Sequence, residues 1–308
     1  MPFPRSNLDV PPGKKPTWLR VTAPGGESYV HIKEELRRRD LHTVCEEARC
    51  PNVGECWRGG TATFMLLGDT CTRACSFCAV KTGNPKGAVD AGEPAKLAEA
   101  VAALDLKYVV LTTVDRDDLE DGGAAHYAAT VRAIKERDPQ ILVEVLTGDF
   151  QGRRASIARV VDSRPEVFAH NVETVERLTP AVRDPRASYR QSLEVLETAR
   201  SLADGSITKS SIMVGVGETR DEVVRTMKDL RASGVELLTI GQYLRPSPKH
   251  LPVAEYWSPE RFEDLRDEGL SLGFLHVASG PLVRSSYRAG EHFVREVLFK
   301  RGSKKETA

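Results

Sequence analysis

The sequence predicts an α/β protein built as an incomplete (β/α)6 TIM-like barrel with N- and C-terminal extensions. Strand-like and helix-like segments alternate along most of the chain, with a spacing typical of βα units. Polar and charged residues follow the predicted strands one after another. Parallel barrels carry their chemistry on the loops at the carboxyl ends of the strands, so this pattern supports the same fold.

Six strands are predicted near residues 62–67, 107–113, 141–147, 166–170, 207–214 and 235–241. Six helices are predicted near 94–104, 123–137, 153–162, 187–203, 219–232 and 258–272. Pro94 and Ser258-Pro259 are typical of helix starts. We expect three regions: 1–60 with an N-terminal arm, a helix and a cysteine motif; 61–277 with the partial barrel; and 278–308 as a C-terminal extension with a polar tail.

The N-terminal region is predicted to be an extended arm followed by a short helix. Residues 1 to about 28 are rich in Pro and Gly, and Trp18 and Leu19 are candidate anchors for the arm. The segment from Tyr29 to about Leu41 has an amphipathic pattern. Its run of arginines at 37–39 is better explained by a solvated helix face than by a binding patch.

Composition excludes several classes of protein. The 44 basic and 44 acidic side chains cancel, which argues against nucleic acid or an anionic membrane as the main partner. No apolar run approaches the ~18 residues of a bilayer span, and the first twenty residues hold no apolar secretory segment. We therefore expect a reducing compartment, the cytoplasm, in which disulfides are rare.

All six cysteines lie between Cys45 and Cys78, and three of them form the motif Cys71-x3-Cys75-x2-Cys78. An iron-sulfur cube normally takes four thiolates, so a compact set of three leaves one iron open to another ligand. The alternatives are a zinc knuckle, whose second cysteine pair is absent, or buried reduced thiols. The spacing, with Phe77 before the last cysteine, resembles the signature loop of the radical S-adenosylmethionine (SAM) enzymes. The resemblance implies that the open iron binds SAM and that SAM is cleaved to a 5'-deoxyadenosyl radical.

A second triad, Cys45-x4-Cys50-x5-Cys56, precedes the first. This pair of triads resembles the lipoyl synthases, and the similarity extends from about residue 41 to 290. It includes Gly54-Glu55-Cys56-Trp57, Gly68-Asp69, His170-Asn-Val-Glu-Thr174, Gln242-Tyr-Leu-Arg-Pro-Ser247 and Gly280-Pro-Leu-Val-Arg-Ser-Ser-Tyr-Arg-Ala-Gly290. It implies that the first triad in the chain holds an auxiliary 4Fe-4S cluster and the second holds the SAM cluster.

The resemblance also implies the reaction. Two C–H bonds, at carbons 6 and 8 of a protein-bound octanoyl group, would be replaced by C–S bonds, with the auxiliary cluster as sulfur donor. No side chain can deprotonate an alkane carbon, so the cofactors must carry the difficult step. The implied partners are octanoylated lipoyl carrier proteins or domains, those of the 2-oxoacid dehydrogenase complexes and the glycine cleavage system, and an electron donor such as flavodoxin or ferredoxin.

The loops after the predicted strands supply the candidate cofactor-binding residues. They are Phe77, Thr112, Asp115, Asn171, Glu173, Arg190, Lys209, Glu218, Gln242, Tyr243 and Leu244. Alternatives remain open for two of them: an acidic helix start near Asp115 and a surface ion pair for Arg190, whose guanidinium otherwise suits a carboxylate. His170, in the same motif as Asn171 and Glu173, is otherwise explained as a satisfied core residue.

The metal ligands implied by the resemblance are Cys45, Cys50, Cys56, Cys71, Cys75, Cys78 and Ser286. From chemistry alone, Ser285-Ser286 would be a turn or a cap, and only the missing fourth cysteine favours the ligand role. The chain departs from the family at Thr147-Gly148-Asp149, where Ile-Pro-Asp is more usual, which leaves the detail of that loop open.

Three other functions compete. A two-cluster electron carrier would leave the polar strand-end loops unexplained. A biotin synthase would lack the N-terminal triad, and a methylthiotransferase would carry its extra triad on a separate domain. No seventh cysteine remains to act as a persulfide carrier, which favours the auxiliary cluster itself as the sulfur source.

Overall fold

The computed structural model describes residues 15–21, 25–47, 50–58, 61–203, 205–286, 294 and 297. Ten strands are present in these residues: β1 His42–Thr43, β2 Thr61–Leu66, β3 Thr70–Cys71, β4 Lys81–Thr82, β5 Tyr108–Thr113, β6 Leu142–Leu146, β7 Val167–Ala169, β8 Ile207–Val214, β9 Leu237–Gln242 and β10 His276–Gly280. Three predicted segments lie outside the described residues: the arm before residue 15, the segment Tyr287–Gly290 and the polar tail. Of the helix predicted after Gly290, only residues 294 and 297 are described.

The main sheet has the order β1-β2-β5-β6-β7-β8-β9-β10 and does not close on itself. All neighbours from β2 to β10 pair in parallel, and β1 pairs with β2 antiparallel, with His42 opposite Met65. The incomplete parallel barrel predicted from the sequence is therefore confirmed. Within this sheet, β1 and β10 were not predicted, and they form its two edges; the separate short pair of β3 and β4 was not predicted either.

The described helices are α1 Glu27–Arg38, α2 Val44–Glu47, α3 Val53–Arg58, α4 Glu93–Ala103, α5 Ala124–Arg137, α6 Arg154–Val161, α7 Thr179–Val182, α8 Tyr189–Leu202, α9 Arg220–Ala232 and α10 Pro259–Ser271. The six helices predicted around the barrel correspond to α4, α5, α6, α8, α9 and α10. Their starts follow local chemistry: the Thr219 side chain and Glu222 form a reciprocal capping box at α9. Ser188 accepts a hydrogen bond from the Gln191 N–H at α8.

Side chains point alternately to the two faces of each strand, and this alternation separates an outer core from the barrel interior. Val109, Leu111, Val143 and Val145 pack with the helices that cover the sheet, as expected from the two-residue period of a strand. The residues of opposite parity form an interior cluster of Tyr108, Val110, Val167, Ile207, Leu237 and Val294. A residue of the C-terminal extension thus packs at the end of the barrel where the strands begin.

The N-terminal region packs beside β2. Tyr29 of α1 stacks on Trp57 of α3, with 5.0 Å between the ring centroids. Leu19 is buried, whereas Trp18 is exposed, so one of the two candidate anchors is in contact with the core. Arg37 and Arg38 are exposed, in agreement with a solvated helix face. Arg39 is half-buried and, like Arg38, pairs with Glu35, which is 7% exposed. Within the described residues, no helix is long and apolar enough to cross a membrane.

Candidate functional site

The loop with Cys71, Cys75 and Cys78 follows β2, where the predicted barrel places it. Leu67 and Gly68 both have positive φ, 66° and 85°, and turn the chain out of the strand. The short parallel pair of β3 and β4 then closes the base of the loop, with Thr70 opposite Lys81. The three cysteines are therefore presented at the carboxyl end of the sheet.

Backbone N–H groups point at the cysteine sulfurs of this loop. Cys71 Sγ accepts from the N–H groups of Arg73 at 3.4 Å and Asp115 at 3.3 Å, and Cys75 Sγ accepts from the N–H of Asp184 at 3.3 Å. Hydrogen bonds of this kind favour the thiolate that an iron-sulfur cluster needs. The chemistry of this donor set therefore fits a cluster.

Burial raises the pKa of each thiol in this loop. The pKa of Cys75 is raised to about 11 and that of Cys78 to about 12, where burial is reinforced by Cys75 and Cys71 nearby. Without a metal these groups hold their protons at neutral pH. Binding of a cluster must displace those protons, since the thiolate is the ligand.

Segments from the other strand ends fix the loop in position. The Ser76 N–H donates to Val182 O at 3.0 Å, and the Leu251 N–H donates to Ser76 O at 2.9 Å. His250 Nε2 lies 3.0 Å from Cys78 O. The loop is thus bound to the segments that follow β7 and β9, on the far side of the sheet from β2.

The second triad lies in the short helices before β2. Cys45 is in α2 and Cys56 in α3, both buried, while Cys50 is half-buried between them. The Cys50 N–H donates to Cys45 O at 3.0 Å. Burial, with Cys50 close by, raises the pKa of Cys45 to about 11.

All six cysteines are free thiols. No group of His, Cys, Asp or Glu among the described residues is arranged around a single metal ion. A cube differs from a single ion because each of its thiolate ligands bonds a different iron.

The C-terminal motif reaches the second triad across 230 residues of sequence. Asn52 Nδ2 donates to Leu282 O at 2.6 Å. Burial raises the pKa of Cys50, and the Arg284 guanidinium opposes that shift, so Arg284 lies within electrostatic reach of this thiol. Ser285 and Ser286 come directly after Arg284 and are half-buried. The fold therefore brings the segment that precedes the predicted serine ligand to the second triad, and the role of Ser286 as a ligand stays a prediction.

Two predicted site residues, Asp115 and Glu173, act electrostatically on the cysteines of the loop after β2. Asp115 contributes to the raised pKa of Cys71 and Cys75, and Glu173 to that of Cys75 and Cys78. Burial raises the pKa of Asp115 to about 6. Asn171 Nδ2 donates to Glu173 Oε1 at 3.1 Å, and Glu173 has a φ of 68° that turns its side chain away from the strand path.

Thr112 and Phe77 also lie at this end of the barrel. Thr112 is buried near the end of β5. Phe77 packs with Val216, Tyr243 and Leu251 in a cluster next to the cysteine loop. Leu244 is half-buried directly after Tyr243, whose hydroxyl donates to Leu251 O at 2.7 Å.

Other predicted site residues already have structural partners. Gln242 Nε2 donates to the carbonyls of Val214, Tyr243 and Glu255, and its Oε1 accepts from the Trp257 N–H. The Gln242 amide therefore joins β8, β9 and the segment before α10.

Glu218 and Arg190 show the same pattern of local pairing. The Glu218 carboxylate accepts from the N–H groups of Gly215 and Val216, at 2.5 and 3.0 Å. Arg190 is exposed on α8 and pairs with Glu194 at 3.1 Å. The surface ion pair considered for Arg190 is thus present.

Lys209 lies inside the barrel rather than at a strand end. Its Nζ is 2.8 Å from Glu144 Oε1 and 2.9 Å from Oε2, and the Tyr108 hydroxyl donates to Glu144 Oε2 at 2.6 Å. The Lys209 and Glu144 side chains are only 5% and 1% exposed. This buried ion pair links β6 with β8.

His170 forms a buried hydrogen-bonded chain below the cysteine loop. Nδ1 lies 2.9 Å from Thr147 O, so it carries the proton, and Nε2 lies 2.9 Å from Ser192 Oγ. Ser192 Oγ accepts in turn from Arg183 Nη1 at 2.7 Å. Burial and the nearby Arg183 lower the pKa of His170 to about 4, so the ring is neutral at physiological pH.

Sequence reasoning missed the segment Arg183-Asp184-Pro-Arg186 after β7. Asp184 Oδ2 accepts from the Ala74 N–H at 2.9 Å, and the Asp184 N–H donates to Cys75 Sγ. Arg186 Nη2 donates to Thr72 O at 2.7 Å. The sequence could have indicated these contacts, because three charged residues occur together in one loop that follows a strand.

The departure at Gly148 has a spatial explanation. A Cβ added at Gly148 would lie 2.4 Å from Asp115 Oδ1, so the absence of a side chain leaves room for that carboxylate. Arg73, Asp115, Asp117, Gly148 and Phe150 line a pocket between the ends of β5 and β6. The pocket lies beside the cysteine loop.

An open parallel barrel with three cysteines on the loop after its first parallel strand defines a class of enzyme. A sequence profile of the radical SAM superfamily matches residues 65–230, and superfamily membership implies a 4Fe-4S cluster and SAM as cofactors. A second profile, the N-terminal domain of lipoyl synthase of the radical SAM family, matches residues 8–50. The chain belongs to the lipoyl synthase family of radical SAM enzymes.

Curated relatives give the same result. Lipoyl synthase from Anaeromyxobacter dehalogenans is 61% identical over 282 residues, which cover 92% of this chain and 96% of the relative. Lipoyl synthase from Sorangium cellulosum is 57% identical over 303 residues, covering 94% and 82%. Lipoyl synthase from Thermus thermophilus is 58% identical over 280 residues, covering 91% and 87%.

Solved structures support the fold alone. The FeFe-hydrogenase maturase HydG from Carboxydothermus hydrogenoformans is 14% identical with a TM-score of 0.51, and the match covers 89% of this chain and 70% of that one. Streptococcus suis SuiB, bound to its precursor peptide SuiA, is 8% identical with a TM-score of 0.53, covering 77% and 48%.

Proposed function

We propose that this chain catalyses the lipoyl synthase reaction: SAM-dependent insertion of two sulfur atoms at carbons 6 and 8 of a protein-bound octanoyl group. Family membership supports the reaction class. The observation that carries the proposal is the presence of two separate cysteine triads. One lies on the loop after β2, and the other lies in α2, α3 and the turn between them, where the C-terminal motif reaches it.

The residues proposed to hold the two clusters differ in their surroundings. Cys71, Cys75 and Cys78 would hold the SAM cluster, which supplies the electron that cleaves SAM. Cys45, Cys50, Cys56 and Ser286 would hold the auxiliary cluster, which supplies the sulfur. Arg284, whose charge acts on Cys50, would compensate part of the negative charge of that second site.

The SAM pocket is proposed at the carboxyl ends of the strands, around the loop that carries Cys71, Cys75 and Cys78. Asp115 and Glu173 have the strongest support, because their carboxylates act on the pKa of the cysteines. Asn171 is linked to them through its hydrogen bond to Glu173. Phe77, Thr112, Tyr243 and Leu244 would shape the walls. A role in this pocket has less support for four residues that already pair with a neighbouring group: Arg190, Lys209, Glu218 and Gln242.

The barrel explains how the radical chemistry is kept under control. A primary carbon radical reacts with any accessible C–H bond, so the pocket must exclude water and other side chains. The interior is filled at the strand-start end by the cluster that includes Val294. Access is therefore expected from the carboxyl end, where the loop with Cys71, Cys75 and Cys78 lies.

The proposal includes the partners expected from the reaction. Octanoylated lipoyl carrier proteins or domains, of the 2-oxoacid dehydrogenase complexes and the glycine cleavage system, would present the acyl chain. A flavodoxin or ferredoxin would deliver the electron. The cytoplasm is the proposed compartment, and six free thiols fit a reducing environment.

The test is an anaerobic reconstitution followed by a single assay. Iron and sulfide analysis should give two cubes per chain. Incubation with SAM, dithionite and an octanoylated carrier domain should give 5'-deoxyadenosine and a lipoyl group detected by mass spectrometry. SAM cleavage with no sulfur added to the carrier, in protein that holds both clusters, would contradict the proposed function.

A further inference from the structure

The Arg73 side chain is buried in the middle of the SAM-cluster loop, between Cys71 and Cys75. Its guanidinium is 2% exposed and makes two forked contacts with carboxylates. Nε and Nη2 donate to Asp117 at 3.0 and 2.8 Å, and Nη1 and Nη2 donate to Asp149 at 2.6 and 2.7 Å. Charge-assisted forks of this geometry are among the strongest polar contacts in proteins.

The two carboxylates belong to different βα loops. Asp117 follows β5, and Asp149 follows β6. Although desolvation opposes ionisation, the Arg73 guanidinium holds the pKa of both carboxyl groups below its usual range. Arg73 therefore joins the cysteine loop to the carboxyl ends of two neighbouring strands.

This clamp lies next to the hydrogen bonds that reach the sulfur of Cys71. Those bonds come from the backbone N–H groups of Arg73 itself and of Asp115. The side chain of Arg73 anchors its own backbone, and Asp117, two residues after Asp115, anchors the other donor. Both N–H···S donors thus belong to segments that the clamp joins, and Thr72 holds Asp115 O as well, from its N–H at 2.9 Å and its hydroxyl at 2.8 Å.

Asp117 is also held by groups other than Arg73, one in the cysteine loop and one in the segment after β7. Thr72 Oγ1 donates to Asp117 Oδ2 at 2.9 Å, and the Asp117 N–H donates back to Thr72 Oγ1 at 3.0 Å. Arg186 Nη1 reaches Asp117 Oδ2 at 3.1 Å. Removal of Arg73 would leave Asp117 partly paired and Asp149 as a buried carboxylate without its main cation.

We infer that Arg73 is a positioning residue that sets the geometry and the reduction potential of the cluster held by Cys71, Cys75 and Cys78. The inference rests on the proposed function, which assigns those ligands. The potential of a cluster depends on nearby charge and on hydrogen bonds to its sulfurs. Loss of Arg73 removes a positive charge and loosens two N–H···S bonds, and both changes disfavour the reduced form. The potential should therefore fall.

Two substitutions at this position separate charge from geometry. Arg73→Gln removes the charge and the forks. Arg73→Lys keeps the charge but cannot form two planar forks, because an ammonium is a point charge on a flexible stem. We expect the midpoint potential to fall most in Arg73→Gln and less in Arg73→Lys. Misplacement of the loop should also slow SAM cleavage, on the order of a hundredfold in Arg73→Gln.

Arg116→Lys is the matched control. Arg116 is also buried and forked, with Nε and Nη2 each 2.8 Å from Asp118, but its other bonds go to the carbonyls of Leu67 and Ala88. It comes from the same loop after β5 and donates to no cysteine sulfur in the described contacts. We expect Arg116→Lys to lower thermal stability without a shift in the potential.

The measurement is a potentiometric titration of the fully reconstituted protein, followed by electron paramagnetic resonance with and without SAM. The SAM-responsive signal identifies the relevant cluster. The inference is supported if this signal shifts to lower potential in the Arg73 variants and not in Arg116→Lys. Wild-type potential in both Arg73 variants, or an equal shift in Arg116→Lys, would overturn it. Absence of a SAM-responsive signal from the wild-type protein would instead overturn the proposed function.

Discussion

The buried Lys209–Glu144 pair gives the sharpest test of which predicted site residues are structural. Lys209→Met leaves Glu144, whose side chain is 1% exposed, as a buried carboxylate with only the Tyr108 hydroxyl among its described hydrogen-bond donors. Removal of one partner of a buried pair costs about 3–5 kcal/mol. For a chain of this size, that loss corresponds to a fall in Tm of about 5–15 °C.

The double variant Lys209→Met/Glu144→Leu distinguishes a structural role from a role in cofactor binding. Replacement of a buried ion pair by apolar residues of similar volume is often neutral or stabilising, so we expect most of the lost Tm to return. If Lys209 serves only the barrel, the double variant should also retain the KM for SAM. Thermal unfolding under anaerobic conditions and SAM-cleavage kinetics measure the two quantities.

Two results would refute this reasoning. Additive losses of Tm in Lys209→Met, Glu144→Leu and the double variant would show that the two side chains do not stabilise each other. Restored stability with a KM for SAM that stays raised at least about tenfold would show that Lys209 contacts the cofactor, as the sequence first suggested.

Three further predictions concern the cysteine sites and pH. Cys75→Ala should abolish formation of 5'-deoxyadenosine. Cys50→Ala should still form some 5'-deoxyadenosine but should lose sulfur insertion. A lipoyl yield near that of the wild-type protein from Cys50→Ala would contradict the assignment of the triads. Ser286→Ala should lower product yield and alter the spectrum of the auxiliary cluster more than Ser285→Ala does, and equal tolerance of both would return the motif to a simple turn. The pKa of His170 is about 4 in the folded state and 6.5 in the unfolded state, so the unfolded state takes up a proton first as the pH falls. The folded state therefore loses stability as the pH falls from 6.5 to 4, and between pH 7 and pH 5 the loss is about 2 kcal/mol. The variant His170→Gln should show a smaller fall in Tm over that interval than the wild-type protein.

Most of the barrel could be predicted from the sequence because its strands are dense in β-branched residues. The segment 207–214 was predicted with the same bounds that the structure has, and 107–113 differs by one residue. The strand His276–Gly280 escaped prediction because its residues include Ala, Ser and Gly and have little strand propensity. The pairing with Leu237 and its neighbours on β9 forms it. This strand also crosses the boundary predicted between residues 277 and 278, so the division into regions stays a prediction.

The site could be predicted only where its signal is local. The cysteine spacings lie within a few residues, and they pointed to both triads. The contacts of Arg73 span 44 residues to Asp117 and 76 residues to Asp149, and no local pattern encodes such a partnership. Lys209 is proposed as a site residue because the end of its strand borders the cofactor in the enzymes that the chain resembles, and that role stays a prediction. Its partner Glu144 lies 65 residues away and satisfies it inside the barrel.

The central claim, that the site built from Cys45, Cys50 and Cys56 supplies the sulfur, is tested most directly by isotope transfer. The clusters are rebuilt with heavy sulfide, and a single turnover is run on an octanoylated carrier domain in unlabelled buffer. The mass of the product should show two heavy sulfurs per lipoyl group, with at most one lipoyl group formed per chain. Unlabelled product, or repeated turnover without any added source of sulfur, would contradict the claim.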